Sequence, residues 1–417
     1  MKVLVIGSGG REHAICRKLK ESPLVDKLLC APGNAGIAEI AEIVPIKAME
    51  LDKITAYAKE NAIDLVFVAP DDPLAAGLVD MLEAEGVKAF GPRKNAAIIE
   101  GSKAFSKEFM KRHGIPTAGY ATFDEYGSAR AYIEKAEDFP IVLKADGLAL
   151  GKGVIICADR DSALKALDDM MLSKVFGGAG STVVIEEFLT GREMTVLAFT
   201  DGKCVRCMPA SQDHKKAYDG DKGLNTGGMG AFAPTPVYTA EIERETLENI
   251  VYPTIKGLNE EGRTFRGVIY FGLMATPKGV KVIEYNARFG DPETQVVLPL
   301  LDSDLMEIVL AVTEERLDSV DIRWKDGAAL TVVAASGGYP ENVIKGYPIT
   351  LGEFSSDLIL YHAGTAYKDG ALVTNGGRVF ALTALGKDIA DARRKVYAEI
   401  DKISFKDMRY RKDIGIK

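Results

Sequence analysis

The sequence predicts a multidomain protein of mixed α/β and α+β class: an N-terminal doubly wound parallel sheet, a larger central region and a small C-terminal α+β domain. Three observations lead there. At 417 residues the chain exceeds what one hydrophobic core ordinarily supports. Its first hundred residues alternate short apolar runs with helical segments, the pattern of parallel strands joined by crossover helices. From about Gly101 the texture changes, and a strand–loop–strand unit follows at 141–157. The expected divisions are 1–100, 101–325 and 326–417.

Composition narrows the class. Hydrophobic residues make up 47% of the chain and charged residues 27%, the balance of a soluble globular protein. A formal charge of −8 argues against non-specific nucleic-acid binding, which needs clustered Lys and Arg. No apolar run approaches the roughly 20 residues that span a bilayer. The apolar start is cut short by Gly7-Ser8-Gly9-Gly10-Arg11-Glu12, so it does not read as a signal peptide. A cytoplasmic protein with no membrane or nucleic-acid partner, and a monomer, is expected. The five cysteines then read as reduced thiols. Cys204 and Cys207 form one Cys-x-x-Cys, but no second pair or spaced His completes a zinc site.

Residues 3–6 read as a buried strand, followed by a glycine turn and a helix from about Glu12 to Lys20. Further strands are expected at 28–31, 64–68 and 87–90, with helices at 54–61 and 74–85 between them. The first turn approaches a dinucleotide fingerprint, yet its third glycine position holds Glu12 and no acidic ribose ligand ends the second strand. Nicotinamide binding is not expected. The amides of Gly9, Gly10 and Arg11 at a helix start still suit a simple phosphate. The loops at 32–36 and 70–74 follow strands and open onto the same crevice.

Ser102 is placed to cap a helix reaching about Lys111, with Lys103 in its first turn, where a cation is poorly placed unless an anion is near. Next comes strand 141–144, a glycine loop holding Gly151, Lys152 and Gly153, and strand 154–157. This departs from a Walker loop: the spacing is one short, no Ser or Thr follows Lys152, and a strand follows instead of a helix. A hairpin flap over phosphates, with Lys144 behind it, fits better. The apolar run ending in Glu186-Glu187-Phe188-Leu189, with Glu193 shortly after, can present backbone groups to an adenine edge and a carboxylate to ribose hydroxyls.

The most informative segment is Glu284-Tyr285-Asn286-Ala287-Arg288. Alternate residues of a strand share a face, so a carboxylate and a carboxamide point into one site, with Arg288 next in line. Two hard oxygen donors suit Mg²⁺, which completes its shell with water and substrate phosphates. Arg288 can grip a phosphoryl oxygen. The rest of the C-terminal third, with strands expected at 330–334, 358–362 and 379–382 and a helix at 389–400, offers no catalytic residue of its own.

In order and spacing these segments resemble the ATP-grasp ligases and, among them, the phosphoribosylamine–glycine ligases (glycinamide ribonucleotide synthetases). The resemblance rests on Gly7-Ser8-Gly9-Gly10-Arg11-Glu12-His13-Ala14, Pro32-Gly33-Asn34-Ala35-Gly36, Lys144-Ala145-Asp146-Gly147, Ser211-Gln212-Asp213-His214-Lys215, Asn225-Thr226-Gly227-Gly228-Met229-Gly230 and Arg288-Phe289-Gly290-Asp291-Pro292-Glu293. Val373-Thr374-Asn375-Gly376-Gly377-Arg378 and Arg411-Lys412-Asp413 extend it almost to the end.

That resemblance implies an ATP-grasp fold with a lid at about 122–189. It also implies that glycine and 5-phosphoribosylamine are joined at the expense of ATP, through a glycyl phosphate, into glycinamide ribonucleotide, ADP and phosphate in purine (IMP) biosynthesis. ATP would be bound by Lys103, Lys144, Gly151, Lys152, Gly153, Glu186, Glu187, Phe188, Leu189 and Glu193. Glu284 and Asn286 would hold Mg²⁺ or Mn²⁺, and Lys144, Arg288 and Asp213 would act in catalysis. The substrates would meet Gly9, Gly10, Arg11, Asn34, Asp213, Asn225, Thr226, Gly227, Gly228, Asp291, Pro292 and Glu293. Transient contact with the enzyme that makes phosphoribosylamine is a further expectation. Two departures stand out: the preceding strand reads Tyr270-Phe271-Gly272-Leu273-Met274 where many ATP-grasp enzymes carry another acidic metal ligand, and Asp71-Asp72 replaces a common Glu-Ala. Other readings compatible with the residues are an ATP-grasp ligase for a different acid–amine pair, a nicotinamide enzyme resting on the first loop, and a nucleotide-binding regulator without turnover.

Overall fold

The computed structural model describes the chain except residues 149–152, 176 and 417. The N-terminal third forms a five-stranded parallel sheet in the order Glu42–Ile43, Lys27–Pro32, Lys2–Gly7, Leu65–Val68, Lys88–Phe90. Val3 to Ile6 are all buried, as continuous apolar runs in parallel sheets require. The order reverses between Lys2–Gly7 and Leu65–Val68, so the loops after these strands open onto one crevice. Two expectations need correcting. The single helix expected at 74–85 is broken by Gly77, at φ 100°, into Asp71–Ala76 and Leu78–Ala84. The first helix begins two residues early, at Gly10, because Glu12 reaches back to cap it.

The lid is a four-stranded antiparallel sheet ordered Tyr120–Phe123, Val183–Glu187, Ile141–Ala145, Val154–Cys157. The helices Tyr126–Lys135 and Arg160–Leu167 cover it and share a separate core with Ile133, Leu143, Leu167 and Ile185. The central sheet runs Val205–Cys207, Arg192–Thr200, Gly267–Thr276, Gly279–Asn286. Its last pairing carries a bulge: Gly272 faces Glu284 while Leu273 faces Val282, leaving Ile283 as the extra residue. A bulge re-aims the side chains beyond it, here those of Glu284 and Asn286.

The C-terminal strands do not form a sheet by themselves. Their five-stranded sheet is ordered Gln212–Asp213, Gly230–Ala233, Ala328–Ala335, Arg378–Gly386, Leu358–His362, so two strands come from the region expected to belong to the centre. The Ile389–Glu399 helix buries Ala392 and Val396 against it. Cys204 and Cys207 are free, half-buried thiols.

A histidine joint ties this sheet to the N-terminal one. His13 Nδ1 accepts the His362 backbone N–H at 2.8 Å, and the Asn34 amide donates to the carbonyls of Ser8 and His362, both at 2.9 Å. Gly36 is required there: a Cβ would lie 2.5 Å from the His362 ring and 2.6 Å from that of His13. Burial pulls His13 down to about 3 and His362 down to about 4, from an ordinary 6.5. The unfolded chain therefore takes up these protons at a higher pH than the folded one. The stability that neutral burial confers is complete above the unfolded value and is lost as the pH falls towards the folded values. Urea unfolding should show a loss of about 1.4 kcal/mol per pH unit for each such histidine below about pH 6. His13→Asn should shallow that slope, and an unchanged slope would show that the joint does not titrate in this way.

Candidate functional site

Glu284 and Asn286 end the Gly279–Asn286 strand on one face, both partly exposed to the cleft beneath the lid. Burial opposes the charge on Glu284, yet the nearby Lys215, Lys144, Lys103 and Arg288 bring its carboxyl down to about 2. Lys215 Nζ lies 3.5 Å from Glu284 and 3.8 Å from Glu193. Asn286 Oδ1 accepts from Arg288 at 3.1 Å. Arg288 also pairs with the buried Glu100 at 2.8 Å and stands 3.9 Å from Asp71. Glu100 in turn accepts the Ala287 N–H at 2.7 Å, fixing the chain just past Asn286. The Asp71 of the unusual Asp71-Asp72 pair thus faces the guanidinium of Arg288.

The lysines approach from the other side. Ser102 caps its helix as expected, accepting the Phe105 N–H at 3.0 Å, and its hydroxyl donates to Asp146. Lys103 Nζ donates to the Gly147 carbonyl at 2.7 Å, and burial lowers its ammonium below the ordinary lysine value. Lys144 Nζ reaches across to the Ile283 carbonyl at 3.1 Å and lies 2.9 Å from Glu186. Glu187 turns outward to Lys281 at 2.7 Å, and Phe188 is exposed at the seam between the lid and the central sheet. Gly153 borders the Val154–Cys157 strand, whereas Gly151 and Lys152 lie outside the described residues.

At the first loop the structure modifies the expected phosphate cradle. Gly9 N–H already donates to Glu12 Oε2 at 2.6 Å, leaving the first-turn amides of Gly10 and Arg11. Glu12 fills the space a dinucleotide fingerprint keeps clear: a Cβ on Gly7 would lie 2.4 Å from its side chain. Arg11 pairs with Glu12 at 2.7 Å and donates to the Phe289 carbonyl at 3.0 Å. The nicotinamide reading, resting on that loop alone, has no support here.

The remaining loops converge through an arginine that sequence reasoning passed over. Arg378 donates to the Gly227 carbonyl at 2.6 Å, the Asp291 carbonyl at 2.7 Å and the Asp291 carboxylate at 2.9 Å. Gly228 lets this happen, since a Cβ there would come 2.4 Å from Pro292. Thr226 donates to the Lys215 carbonyl at 2.8 Å, and Asn225 pairs across to Lys216. Glu293 is buried and accepts from the Tyr270 hydroxyl at 3.0 Å. Burial pushes the Asp213 carboxyl up to about 7, although Lys215 works against the shift. His214 is buried, with its ring 5.9 Å from that of Phe232 and its Nδ1 without a hydrogen-bond partner among the described residues. Lys215 and Arg378 were not among the residues expected at the site, although both lie in motifs that carry the family resemblance.

The assembled cleft gathers Lys103, Lys144, Lys215 and Arg288 around the Glu284 carboxylate and the Asn286 carboxamide. Such a lining suits a polyanion with a divalent cation. Among the described residues no group of three or more His, Cys, Asp or Glu could hold an ion by itself. Glu284 and Asn286 nevertheless fit one that takes its remaining ligands from water and phosphates, as Mg²⁺ does.

Comparison with known proteins agrees along the whole chain. Residues 1–100, 101–294 and 329–417 match the N domain, the ATP-grasp (A) domain and the C domain of phosphoribosylglycinamide synthetase. The phosphoribosylamine–glycine ligase of Caldanaerobacter subterraneus is 49% identical over 415 residues, covering 100% of this chain and 99% of that protein. The crystal structure of the phosphoribosylamine–glycine ligase of Thermotoga maritima is 35% identical, with a TM-score of 0.87 over 99% of this chain and 100% of its own. The biotin carboxylase domain of the Hydrogenobacter thermophilus 2-oxoglutarate carboxylase shares the fold, with a TM-score of 0.76 at 17% identity over 98% and 91% of the two chains. Matched domain by domain and over its full length, this chain belongs to the phosphoribosylglycinamide synthetase family, with an ATP-grasp fold at its centre.

Proposed function

We propose that the chain joins glycine to 5-phosphoribosylamine at the expense of ATP, giving glycinamide ribonucleotide, ADP and phosphate in purine biosynthesis. The observation that carries this reading is the ring of Lys103, Lys144, Lys215 and Arg288 around Glu284 and Asn286, in a chain matched throughout by ligases of that name. The enzyme is an ATP-dependent ligase that uses a divalent metal. Magnesium or manganese is proposed, held by Glu284 and Asn286, where it would neutralise phosphate oxygens when bound.

A carboxylate is a poor acyl donor because its oxygen is a poor leaving group. A glycine carboxylate oxygen attacks the terminal phosphorus of ATP and ADP departs, giving glycyl phosphate. The amine of phosphoribosylamine then attacks the glycyl carbonyl, phosphate leaves, and an amine proton is lost. No nucleophile from the protein is needed. Lys103, Lys144 and Arg288 neutralise charge on the transferred oxygens, which is where such reactions gain most. Backbone groups of Glu186 to Leu189 take the adenine and Glu193 the ribose.

Asp213 is proposed to hold the glycine ammonium, with the Asn225–Gly228 loop and Asp291 to Glu293 around it. Residues 1–100, through Gly10, Arg11 and Asn34, receive the substrate phosphate. The domains at 101–325 and 326–417 bind ATP and complete the cleft. No helix among the described residues is long and apolar enough to cross a membrane. A cytoplasmic monomer that meets the phosphoribosylamine-producing enzyme only transiently completes the proposal.

Sustained ADP release over many turnovers should require glycine and freshly generated phosphoribosylamine together; sustained turnover at an undiminished rate with either one omitted would sink the reading. Lys144→Met and Glu284→Gln should each lower kcat by about a hundredfold or more. Asp213 binds an ammonium only when ionised, and its carboxyl titrates at about 7, so glycine KM should rise as the pH falls below 7. Asp213→Asn should raise that KM at every pH and abolish its pH dependence, and an unchanged glycine KM would remove Asp213 from the site.

A further inference from the structure

Glu186, on the Val183–Glu187 strand of the lid, has almost no access to water, yet two lysines share it. Lys107 Nζ lies 2.8 Å from Glu186 Oε2, and Lys144 Nζ 2.9 Å from Oε1. The two contacts are unlike. Lys107 is held from both sides: it donates to Thr117 Oγ1 at 2.8 Å, and Thr117 donates to the Val282 carbonyl at 2.7 Å, two residues before Glu284. Its side chain is 3% exposed and that of Lys144 6%, so the two differ in how they are tethered more than in their access to the cleft. Lys144 lies close to Oε1 without hydrogen-bond alignment, and its aligned bond goes to the Ile283 carbonyl.

One carboxylate with two cations is an unusual use of buried charge, because each ammonium loses its hydration. A single lysine would neutralise Glu186. The second becomes useful when one of them must leave. If Lys144 were the sole counter-ion, its move to a phosphate would abandon a bare carboxylate in the interior, a heavy penalty on nucleotide binding. We propose that Lys107 is a positioning residue for nucleotide binding: as the resident counter-ion of Glu186, it releases Lys144 to the ATP phosphates. Burial pulls the Lys107 ammonium down to about 8, which still leaves it charged at neutral pH. The strand that carries Glu284 is tied to the same unit through Thr117, so the counter-ion and the metal-binding face keep a constant spacing.

The inference rests on Lys144 as a phosphate ligand, and titration of the full-length protein with ATP and with AMP separates the two ideas. Lys144→Met should weaken ATP binding; if it does not, the phosphate reading falls and this inference with it. Given that loss, Lys107→Met should weaken ATP about tenfold or more while leaving AMP, which lacks the outer phosphates, within about twofold. Lys107→Met/Glu186→Gln, which removes the stranded charge, should recover most of the ATP affinity. Unchanged ATP affinity in Lys107→Met, equal losses for ATP and AMP, or no recovery in the double variant would each overturn the proposal. Should Lys107→Met not fold, Lys107→Gln, which keeps a polar group beside Thr117 but not the charge, takes its place, and unchanged ATP affinity or equal losses for ATP and AMP overturn the proposal in the same way.

Discussion

Carboxylates buried or half-buried beside cations set the terms for the whole cleft. Glu100 meets Arg288, Glu186 meets Lys107 and Lys144, Glu284 meets Lys215, and Asp291 meets Arg378. In each case the cation comes from a different segment of the chain. A buried charge without its partner is costly, so these pairs bind the separate sheets to one another at the place where substrates enter. Their contribution is geometric more than energetic, since a well-packed apolar pair would hold as firmly without offering a charged surface to a ligand.

The backbone supplies what the charges cannot. The bulge at Ile283 turns Glu284 and Asn286 into the cleft and presents a carbonyl to Lys144. Close approaches at Gly36 and Gly228 seat two loops against the histidine joint and against Pro292. The reversal of strand order in the first sheet opens its loops towards the same space. Each device is local, yet together they bring residues from four parts of the sequence into one cleft.

What could be read in advance follows from which signals are local. The period of two in Glu284-Tyr285-Asn286 revealed a shared face without any knowledge of the fold, and the cap at Ser102 and the parallel strands were legible in the same way. The long-range pairs were not. Lys107 and Glu186 lie 79 residues apart in sequence, and Arg378 reaches Asp291 across 87. No periodicity encodes such meetings. Gly9 shows a subtler limit: its amide suits an anion, but the anion it meets is the chain's own Glu12. The helix broken at Gly77 reflects a third, since a glycine within an apolar repeat does not announce whether it will take a left-handed turn.

The sheet shared between the centre and the C-terminal segment carries one more implication. Ala328–Ala335 is flanked by Gly230–Ala233 on one side and Arg378–Gly386 on the other. A fragment ending near residue 325 would leave Gly230–Ala233, wholly buried in the intact chain, as a naked apolar margin seeking another strand. Truncation should yield a sticky, self-associating species instead of a smaller working enzyme, and the two portions are better regarded as one folding partnership than as detachable modules.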